Sequence, residues 1–291
     1  MLFYLMLSGL TNGSLYALVA MGLVIIYKAT AVVNFAHGEV FMMGGFFGYT
    51  FHVLLGLPYP ASLLLAVGLS LLLGVVTERV AYRPMIKASV ISLVLASVGF
   101  SFVLKGIARV PWGGKGDFIP FPPVFSYDPI VFGSLLITPQ HLIILTSALA
   151  CMGLFAAFFR WTKLGKMMQA TAENQRAAAL VGIRVERVFA SIWGAGACVG
   201  AVAGVLMAPV TLLYPDIGAT LLVKAFASAV LGGFGSLPGA VLGGLTMGLV
   251  ENLAGGYLDT SLVDISPFLV MILVLILWPT GFFGARAIRK V

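Results

Sequence analysis

Side chains that could do chemistry are scarce in this sequence, and the closest group of them lies near the N-terminus. Asn34, His37 and Glu39 fall within six residues, next to long apolar runs. Ionisable side chains in such surroundings mark a substrate or ion pathway by default, because burying them in lipid costs free energy. The group could therefore meet the ammonium or carboxylate of a solute at the cytoplasmic end of a path. Alternatively, His37 and Glu39 pair with each other or with Lys28 and only hold a broken helix together.

Two further charged residues interrupt apolar sequence in the C-terminal half. Lys224 follows a short apolar stretch, and Glu251 lies near the end of a longer one. Each side chain could reach the outer membrane surface along its apolar stem, or it could face a path across the membrane. The sequence leaves both alternatives open.

Residue patterns typical of enzyme sites are missing from the sequence. No paired carboxylates, His/Glu metal ligands or Ser/His arrangement occur together, and Cys151 and Cys198 stand alone in apolar runs, where small buried residues are expected. No Gly-x-x-x-x-Gly-Lys-Ser/Thr phosphate loop occurs, since GGKGD at 113–117 lacks the following hydroxyl residue. We therefore predict that the chain is not an enzyme and holds no metal, cofactor or ATPase site of its own.

Composition indicates the surroundings in which these residues lie. Apolar residues make up 60% of the 291 residues and charged residues 9%, whereas soluble domains carry about a quarter charged residues. Long runs without charge, of the kind found at 40–77 and 188–215, reach the about 20 apolar helical residues that cross a bilayer. The alternation typical of a membrane β-barrel is absent. We predict an all-α, polytopic helical membrane protein that forms a single transmembrane domain over 1–291.

These apolar runs divide into nine membrane segments, within a range of about eight to ten. The segments are expected near 2–27, 35–55, 60–77, 88–108, 139–159, 188–208, 217–234, 238–254 and 265–280. The segments at 35–55 and 217–234 are rich in glycine, so each is a candidate for a re-entrant or broken helix. Such backbone is tolerated at membrane depth only where it is buried or lines a cavity.

Charged residues predict the orientation of these segments. Basic residues cluster in three places: Arg79, Arg83 and Lys87; 160–187; and Arg286, Arg289 and Lys290. Because lysine and arginine favour the cytoplasmic side, the clusters predict an inner C-terminus and an outer N-terminus. The predicted outer side receives five acidic residues, Asp117, Asp128, Asp216, Asp259 and Asp264, and a long loop with Lys105, Arg109 and Lys115. The net charge of +7 is thus a topology signal, and we expect no nucleic-acid partner.

Glycine occurs 35 times and is concentrated in runs such as GAGACVGAVAG (194–204) and LGGFGSLPGAVLGG (231–244). Small residues three or four positions apart let helix backbones approach closely in lipid, so these runs predict close helix packing. The pairs Gly44–Gly45 and Gly232–Gly233 each precede a phenylalanine. This similarity hints at two related halves of the chain.

One polar segment, 160–188, separates the apolar runs. It holds six of the seventeen basic residues and five alanines that favour helix. Gly182 is the expected end of that helix, because glycine readily takes the left-handed conformation of a helix C-cap. The first turns, with Trp161 and Leu164, can lie on the membrane while the alanine-rich part projects into the cytoplasm. The segment either docks a cytoplasmic partner or merely links two membrane segments.

Three stretches of the chain resemble a known family. The polar segment resembles the cytoplasmic coupling loop of bacterial ABC importer permeases. In that loop an alanine-rich segment ends in a glycine about nine residues after an acidic position, and Glu173 and Gly182 have that spacing here. LivH-type permeases, which serve branched-chain amino acid importers, are similar to two further stretches: 9–49 (GLTNGSLYALVAMGLVIIYKATAVVNFAHGEVFMMGGFFGY) and 226–252 (FASAVLGGFGSLPGAVLGGLTMGLVEN). The resemblance covers nearly all of the chain, although related permeases for urea and short amides share these stretches.

What this resemblance implies is a permease subunit of ABC importer architecture in the bacterial cytoplasmic (inner) membrane. Its implied partners are cytoplasmic ABC ATPase subunits that bind the ATP, an extracytoplasmic substrate-binding protein, and a second related permease subunit, with a homodimer as the alternative. Within 160–187, Glu173 and Arg176 are the expected polar docking contacts, Ala178 the point of close approach and Gly182 the bend. The structural alternative for Glu173 and Arg176 is a solvated helix face with a weak ion pair.

The implied mechanism is alternating access driven by ATP. A rigid helix over 166–184 would pass the motion of the ATPases to the adjoining membrane segments and so carry a branched-chain, hydrophobic amino acid inward. One rival keeps this architecture and imports urea or short-chain amides. The other rival is a secondary transporter driven by an ion gradient, which would need carboxylates or histidines as relays within the membrane.

Overall fold

The structure, a computed structural model, describes residues 2–86, 88–113, 118–124, 130–132, 135–278 and 280–284. Seven charged residues that predicted the orientation lie outside the described residues: Lys87, Lys115, Asp117, Asp128, Arg286, Arg289 and Lys290. The C-terminal basic cluster therefore stays a prediction.

Helices account for most of the described chain. The α-helices are α1 (Leu2–Thr30), α2 (His37–Tyr49), α3 (Tyr59–Thr77), α4 (Val90–Trp112), α5 (Pro139–Trp161), α6 (Lys163–Glu173), α7 (Gln175–Leu180), α8 (Val185–Met207), α9 (Ile217–Gly232), α10 (Leu237–Tyr257) and α11 (Leu262–Leu277). π-Helical turns extend α2 over Thr50–Leu54 and α3 over Glu78–Tyr82. Short strands form two antiparallel pairs: β1 (Ile119–Pro120) with β4 (Leu212–Leu213), and β2 (Ile130–Phe132) with β3 (Leu135–Ile137).

Each of the nine predicted membrane segments coincides with an apolar helix. Among the described residues, six helices are long and apolar enough to cross a bilayer, namely α1, α3, α4, α5, α8 and α10, and α9 and α11 are shorter apolar helices. The ninth segment is α2 with its π-helical extension. The prediction of an all-α, polytopic membrane protein is therefore confirmed.

Helices α1 and α8 form the centre of the bundle. Most of their apolar stretches are buried within the chain, whereas those of α4 and α5 are largely exposed. Large apolar side chains of α4, such as Phe102 and Val110, face away from the bundle. In a membrane protein, such a face is covered by lipid or by another membrane helix, so α4 lies at the periphery.

Glycines hold the central helices at close range, as their spacing predicts. A Cβ atom added at Gly13 of α1 would lie 2.8 Å from the backbone oxygen of Gly244 in α10, and one added at Gly74 of α3 would lie 2.5 Å from the backbone oxygen of Trp193 in α8. Both distances are too short for a real side chain, so the helix backbones touch at these positions. The prediction of close packing is confirmed for these helices.

Helix α2 begins inside the bundle and not at its surface. The chain leaves α1 through Ala31, whose φ of +56° lies in the left-handed region, and turns back into the bundle. The backbone N–H of Phe35 then donates to Ser97 Oγ of α4 at 3.2 Å. Val40, in the first turns of α2, packs with Leu104 and Ala197, which lie near the middle of α4 and α8. The helix of the 35–55 segment therefore starts within the bundle and runs without a break from His37 to Leu54, and a re-entrant form stays a prediction.

Helix α9 begins against the start of α2. A Cβ atom on Gly38 would collide with the backbone of Gly218, and one on Gly218 would collide with the backbone of Gly38. The contact is reciprocal and needs glycine on both sides. The two glycine-rich segments thus place their helix N-termini side by side within the bundle.

The similarity between the two Gly-Gly pairs does not reflect equivalent positions. Gly44 lies inside α2 and packs on Ala201 of α8, whereas Gly233 follows the end of α9 with a φ of +99°. The hint of two halves aligned on these pairs is therefore wrong. The residues in reciprocal positions are Gly38 and Gly218.

Helix ends gather at two ends of the bundle, as alternating crossings require. At the end predicted to be cytoplasmic, which we call the inner end, Gln175 of α7 donates to the backbone oxygen of Ala29 in α1 at 2.9 Å. Arg83, which follows α3, contacts Glu186 at the start of α8. The opposite end, which we call the outer end, joins the start of α1 to α10 through Ser8, which donates to Asn252.

Candidate functional site

Asn34 shapes the turn at which α2 begins. Its Oδ1 atom accepts hydrogen bonds from the backbone N–H of Ala36 at 3.0 Å and from the Tyr82 hydroxyl at 3.3 Å, and its backbone oxygen accepts from the N–H of His37. Its Nδ2 atom is buried without a hydrogen-bond partner among the described residues. Asn34 therefore has a structural role, and its amide still carries one donor group free for a solute or a water.

His37 fills a space that a glycine leaves open. The ring is fully buried at the first position of α2, and a Cβ atom on Gly22 of α1 would collide with it, whereas one on Gly200 of α8 would be in ordinary contact with it at 3.7 Å. The backbone carbonyl of Val19 lies beside the ring. The side chain thus joins α1, α2 and α8, and it does not form an ion pair with Glu39 in the structure.

Glu39 has a partner that the sequence did not reveal. Its side chain is 2% exposed, and Oε1 lies 3.5 Å from Lys105 Nζ. Lys105 is itself 13% exposed and lies 3.2 Å from Oδ1 of Asp216, which also binds Arg109 at 2.8 Å. The prediction that Glu39 pairs with His37 or with Lys28 is therefore wrong. A lysine in the middle of α4 reaches it because α2 starts at that depth.

Lys105 and Asp216 were the site residues that the sequence missed. The charge pattern predicts Lys105 in an outer loop, but Lys105 lies within α4, in the sequence FVLKGIA. A single basic residue flanked by apolar residues on both sides was the available signal, since burial of such a charge requires a partner. Asp216 could not be found from sequence, because its pairing depends on the meeting of α2 and α9.

A second buried ion cluster contains Lys224. Its Nζ atom lies 2.8 Å from Oε1 of Glu251 in α10 and 3.2 Å from Oδ1 of Asp264 in α11, and it lies over the ring of Tyr16 in α1. The side chains of Lys224 and Glu251 are 12% and 5% exposed, whereas that of Asp264 is 81% exposed. Lys224 is therefore held inside the bundle by Glu251 and does not extend freely to the membrane surface.

Two cavities lie on opposite sides of the point where α2 and α9 meet. The outer cavity has a volume of about 290 Å³ and is lined mainly by apolar side chains. Its lining residues include Tyr16, Phe118, Met207, Ile217, Leu221 and the charged Lys224. The inner cavity, of about 260 Å³, is lined by residues that include Glu78, Tyr82, Arg83, Gln175, Phe189 and Trp193. Tyr82 binds Asn34, and Ile217 adjoins Gly218. The starts of α2 and α9 therefore lie between the two cavities.

The polar segment forms two helices and not one. Asn174 ends α6 and caps α7, because its side chain accepts a hydrogen bond from the N–H of Ala177 at 3.0 Å. The expected single helix over 166–184 is thus wrong, and asparagine as a favoured N-cap residue was the signal for the break. Glu173 and Arg176 fall on different helices, so the weak ion pair considered for them does not form among the described residues.

Gly182 ends α7 as predicted. Its φ is +86°, and it lies one position beyond the cap residue Val181. The N–H of Gly182 donates to Ala179 O at 3.0 Å and that of Ile183 to Ala178 O at 3.1 Å. These two bonds are those of a Schellman motif, which satisfies the last helix carbonyls and favours glycine.

The surface of the polar segment differs from the expected one at Ala178. Ala178 is 3% exposed, so it already packs against its own chain. Glu173, Arg176 and Gly182 are exposed. The most exposed apolar side chains of α7 and its cap are Leu180 at 88% and Val181 at 77%, which the sequence had not singled out. The role of the four predicted residues in coupling stays a prediction.

Known proteins are similar to this chain along almost its whole length. A profile of the family described as "Branched-chain amino acid transport system / permease component" matches residues 5–275. The high-affinity branched-chain amino acid transport system permease protein LivH of Escherichia coli strain K12 is 35% identical over 300 residues, which cover 98% of this chain and 96% of LivH. BraD of Pseudomonas aeruginosa, a permease protein with the same description, is 33% identical over 98% of this chain and 97% of its own.

A solved structure shares the fold. A chain of PsaBC from Streptococcus pneumoniae in complex with Fab superposes with a TM-score of 0.50 at 13% identity, covering 95% of this chain and 92% of that chain. At this identity the likeness concerns the fold alone. The family match, the identity with LivH and the apolar helices agree with one another, so the resemblance to LivH-type permeases is confirmed. The chain, a multi-pass protein of the bacterial inner membrane, belongs to the family of branched-chain amino acid transport system permease components.

Proposed function

We propose that this chain is the membrane permease of an ATP-driven ABC importer that takes up branched-chain, hydrophobic amino acids. One observation carries the proposal: LivH is 35% identical to this chain over nearly the full length of both proteins. The match includes the regions of the two cavities and of the polar segment, so it extends beyond a shared membrane anchor. Import of urea or short amides remains the rival within the same architecture.

The cytoplasmic ATPase subunits, which bind the ATP, dock on α6 and α7. Leu180 and Val181 extend from the end of α7 as an exposed apolar pair. A few well-packed side chains near the centre of an interface supply most of its binding free energy, and this exposed pair is available to fill a pocket of the partner. Glu173 and Arg176 lie beside them as polar contacts, and the Gly182 turn fixes the angle at which α7 presents the pair. Ala178 packs α7 against the chain.

Motion at α7 reaches the membrane helices through short connections. Gln175 binds the end of α1 at Ala29, and Arg83 binds both Glu78 of α3 and Glu186 of α8. A shift of α6 and α7 would therefore move the inner ends of α1, α3 and α8 together. Such movement opens the inner cavity while the contact between Gly38 and Gly218 closes the path toward the outer cavity, and the reverse movement opens the outer one.

Further partners follow from the exposed surfaces. The peripheral face of α4, with Phe102 and Val110, suits a second, related permease subunit or lipid. An extracytoplasmic substrate-binding protein would deliver the amino acid at the outer end, near Phe118 and Leu212, which border the outer cavity. The chain would then need no substrate affinity comparable to that of the binding protein.

Uptake in proteoliposomes tests the imported solute and the energy source together. The permease is reconstituted with its co-encoded ATPases and binding protein, and uptake of labelled leucine is measured with ATP inside or outside the vesicles. We expect uptake only when ATP is on the ATPase side, and we expect it to persist with an uncoupler. Uptake of urea without leucine would support the rival cargo, and uptake abolished by the uncoupler would support an ion-driven transporter.

Docking is tested at the exposed apolar pair. The double change Leu180→Asp and Val181→Asp should lower copurification of the ATPases by about tenfold or more. Loss of one hot-spot side chain reduces the binding free energy by about 2 kcal/mol, and about 1.4 kcal/mol corresponds to a tenfold change in affinity. Leu258→Asp is the matched control, because Leu258 is also an exposed leucine (75%) but lies beyond α10 at the outer end. Normal copurification of the double variant would remove α7 as the docking site.

A further inference from the structure

We infer that the outer cavity is a substrate subsite in which Lys224 binds the carboxylate of a branched-chain amino acid. The inference rests on the proposed import of such amino acids and names the residues of this chain that contact them. It follows from the size of the cavity, its apolar wall and the charges at one side of it.

The size and wall of the cavity suit one small apolar side chain. Pockets for small ligands measure about 300–1,000 Å³, and this cavity, at about 290 Å³, is just below that range. Met207, Ile217 and Leu221 contribute aliphatic surface. A branched aliphatic group can bury its surface against these residues.

Lys224 supplies the charge that the apolar wall lacks. Among the described residues that line the cavity, Lys224 alone is charged. Its side chain is 12% exposed, so its ammonium is largely withdrawn from solvent, and a carboxylate beside it would form a charge-assisted hydrogen bond of the strong kind. Glu251, at 2.8 Å, keeps Lys224 in place.

Asp264 completes a site for a zwitterion. The cluster holds one positive and two negative side chains, and Asp264 is its exposed member, at 3.2 Å from Lys224 Nζ. A substrate carboxylate can take the place of Asp264 on Lys224, and the freed Asp264 carboxylate can then receive the substrate ammonium. Both charges of an amino acid thereby gain a partner beside an apolar wall for its side chain.

Uptake kinetics of the complete transporter test the role of Lys224. With labelled leucine delivered by the binding protein, Lys224→Gln should raise KM by about tenfold or more, as expected for loss of a hydrogen bond between charged groups. Because this change also leaves Glu251 buried without its partner, the double variant Lys224→Gln/Glu251→Gln is measured beside it. We expect the double variant to recover normal expression and thermal stability but to keep the high KM.

The outcomes separate this inference from the proposed function. Normal leucine KM in the stable double variant would overturn the subsite and leave Lys224 as a structural residue, while the proposed function stood. Absence of leucine uptake by the unchanged transporter would overturn the proposed function itself.

A change in bulk provides a second test that leaves the charges intact. Thr220 also lines the cavity, and Thr220→Phe should fill it and raise the KM for leucine severalfold. Val223→Phe is the matched control, because Val223 lies on the same helix and is 41% exposed without being part of the cavity lining. Equal KM values for the two variants and the unchanged chain would overturn the subsite.

Discussion

At the scale of single residues, buried charges are the costly feature of this protein. Glu39 and Lys224 lie within a bundle whose surroundings are apolar, and each is stabilised by an ion pair from another helix, Lys105 for the first and Glu251 for the second. An ion pair of this kind contributes little net stability, yet removal of one partner leaves an uncompensated charge. The pairs therefore fix which helices meet more than they stabilise the fold.

The ion pair of Glu39 gives the first prediction. Lys105→Met should destabilise the chain by about 3–5 kcal/mol, because the Glu39 carboxylate would stay buried without its partner. The double variant Lys105→Met/Glu39→Gln should recover most of that loss. Thermal unfolding in detergent measures both. Equal stability of the single variant and the unchanged chain would show that Glu39 has another partner.

Transport assays can show whether the residues expected on the translocation path act in transport or only support the fold. Wild-type uptake by His37→Ala and Glu39→Gln, at normal expression, would assign His37 and Glu39 to the scaffold alone. We expect reduced uptake for both, since His37 and Glu39 lie where α2 and α9 meet, between the two cavities. Leucine uptake in proteoliposomes, normalised to the amount of permease, is the measurement.

At the scale of the elements, glycine decides how close the helices lie. A Cβ atom at Gly244 of α10 would lie 2.5 Å from Cα of Ala17 in α1. Gly244→Val should therefore destabilise the α1–α10 contact by about 1–3 kcal/mol or more, the usual cost of overpacking. Gly106→Val is the matched control, because an added Cβ atom there meets nothing within 4 Å. Thermal unfolding should show a loss for the first variant only; equal losses would contradict the packing argument.

The cap of α7 gives a prediction for the coupling segment. Asn174→Ala removes the side-chain bond to the N–H of Ala177 and should destabilise α7 by about 1 kcal/mol. Hydrogen exchange of residues 177–182 should then rise about fivefold. Ser89→Ala, which removes the corresponding cap of α4, should leave that exchange unchanged. Unaltered exchange in Asn174→Ala would mean that tertiary contacts hold α7 without its cap.

At the scale of the whole molecule, the orientation in the membrane links both proposals. Docking requires α7 on the cytoplasmic side, and the substrate subsite requires the outer cavity on the opposite side. In a chain with Cys151 and Cys198 replaced by alanine, Leu258→Cys should react with a membrane-impermeant maleimide in intact cells. Val181→Cys should react only after the membrane is permeabilised. The reverse pattern would place α7 outside and contradict the docking of ATPases.

The sequence by itself determined the features that depend on local composition. Long apolar runs predicted the positions of the nine apolar helices, since a chain in lipid must satisfy its backbone hydrogen bonds internally and therefore forms helices. Gly182 predicted the end of α7 for a similar reason: the left-handed conformation at a helix end depends on the residue that occupies it. The resemblance at 9–49 and 226–252 predicted the family.

Only the tertiary structure decided which distant residues meet. The pairing of Glu39 with Lys105 depends on α2 starting at the depth of the middle of α4, and that depth is set by the contact of Gly38 with Gly218. Ala178 is a second example. The sequence predicts it as a point of contact with a partner, but it is buried because α7 packs against its own chain. Burial and ion pairing arise from the arrangement of several helices in space, and no single stretch of sequence contains that arrangement.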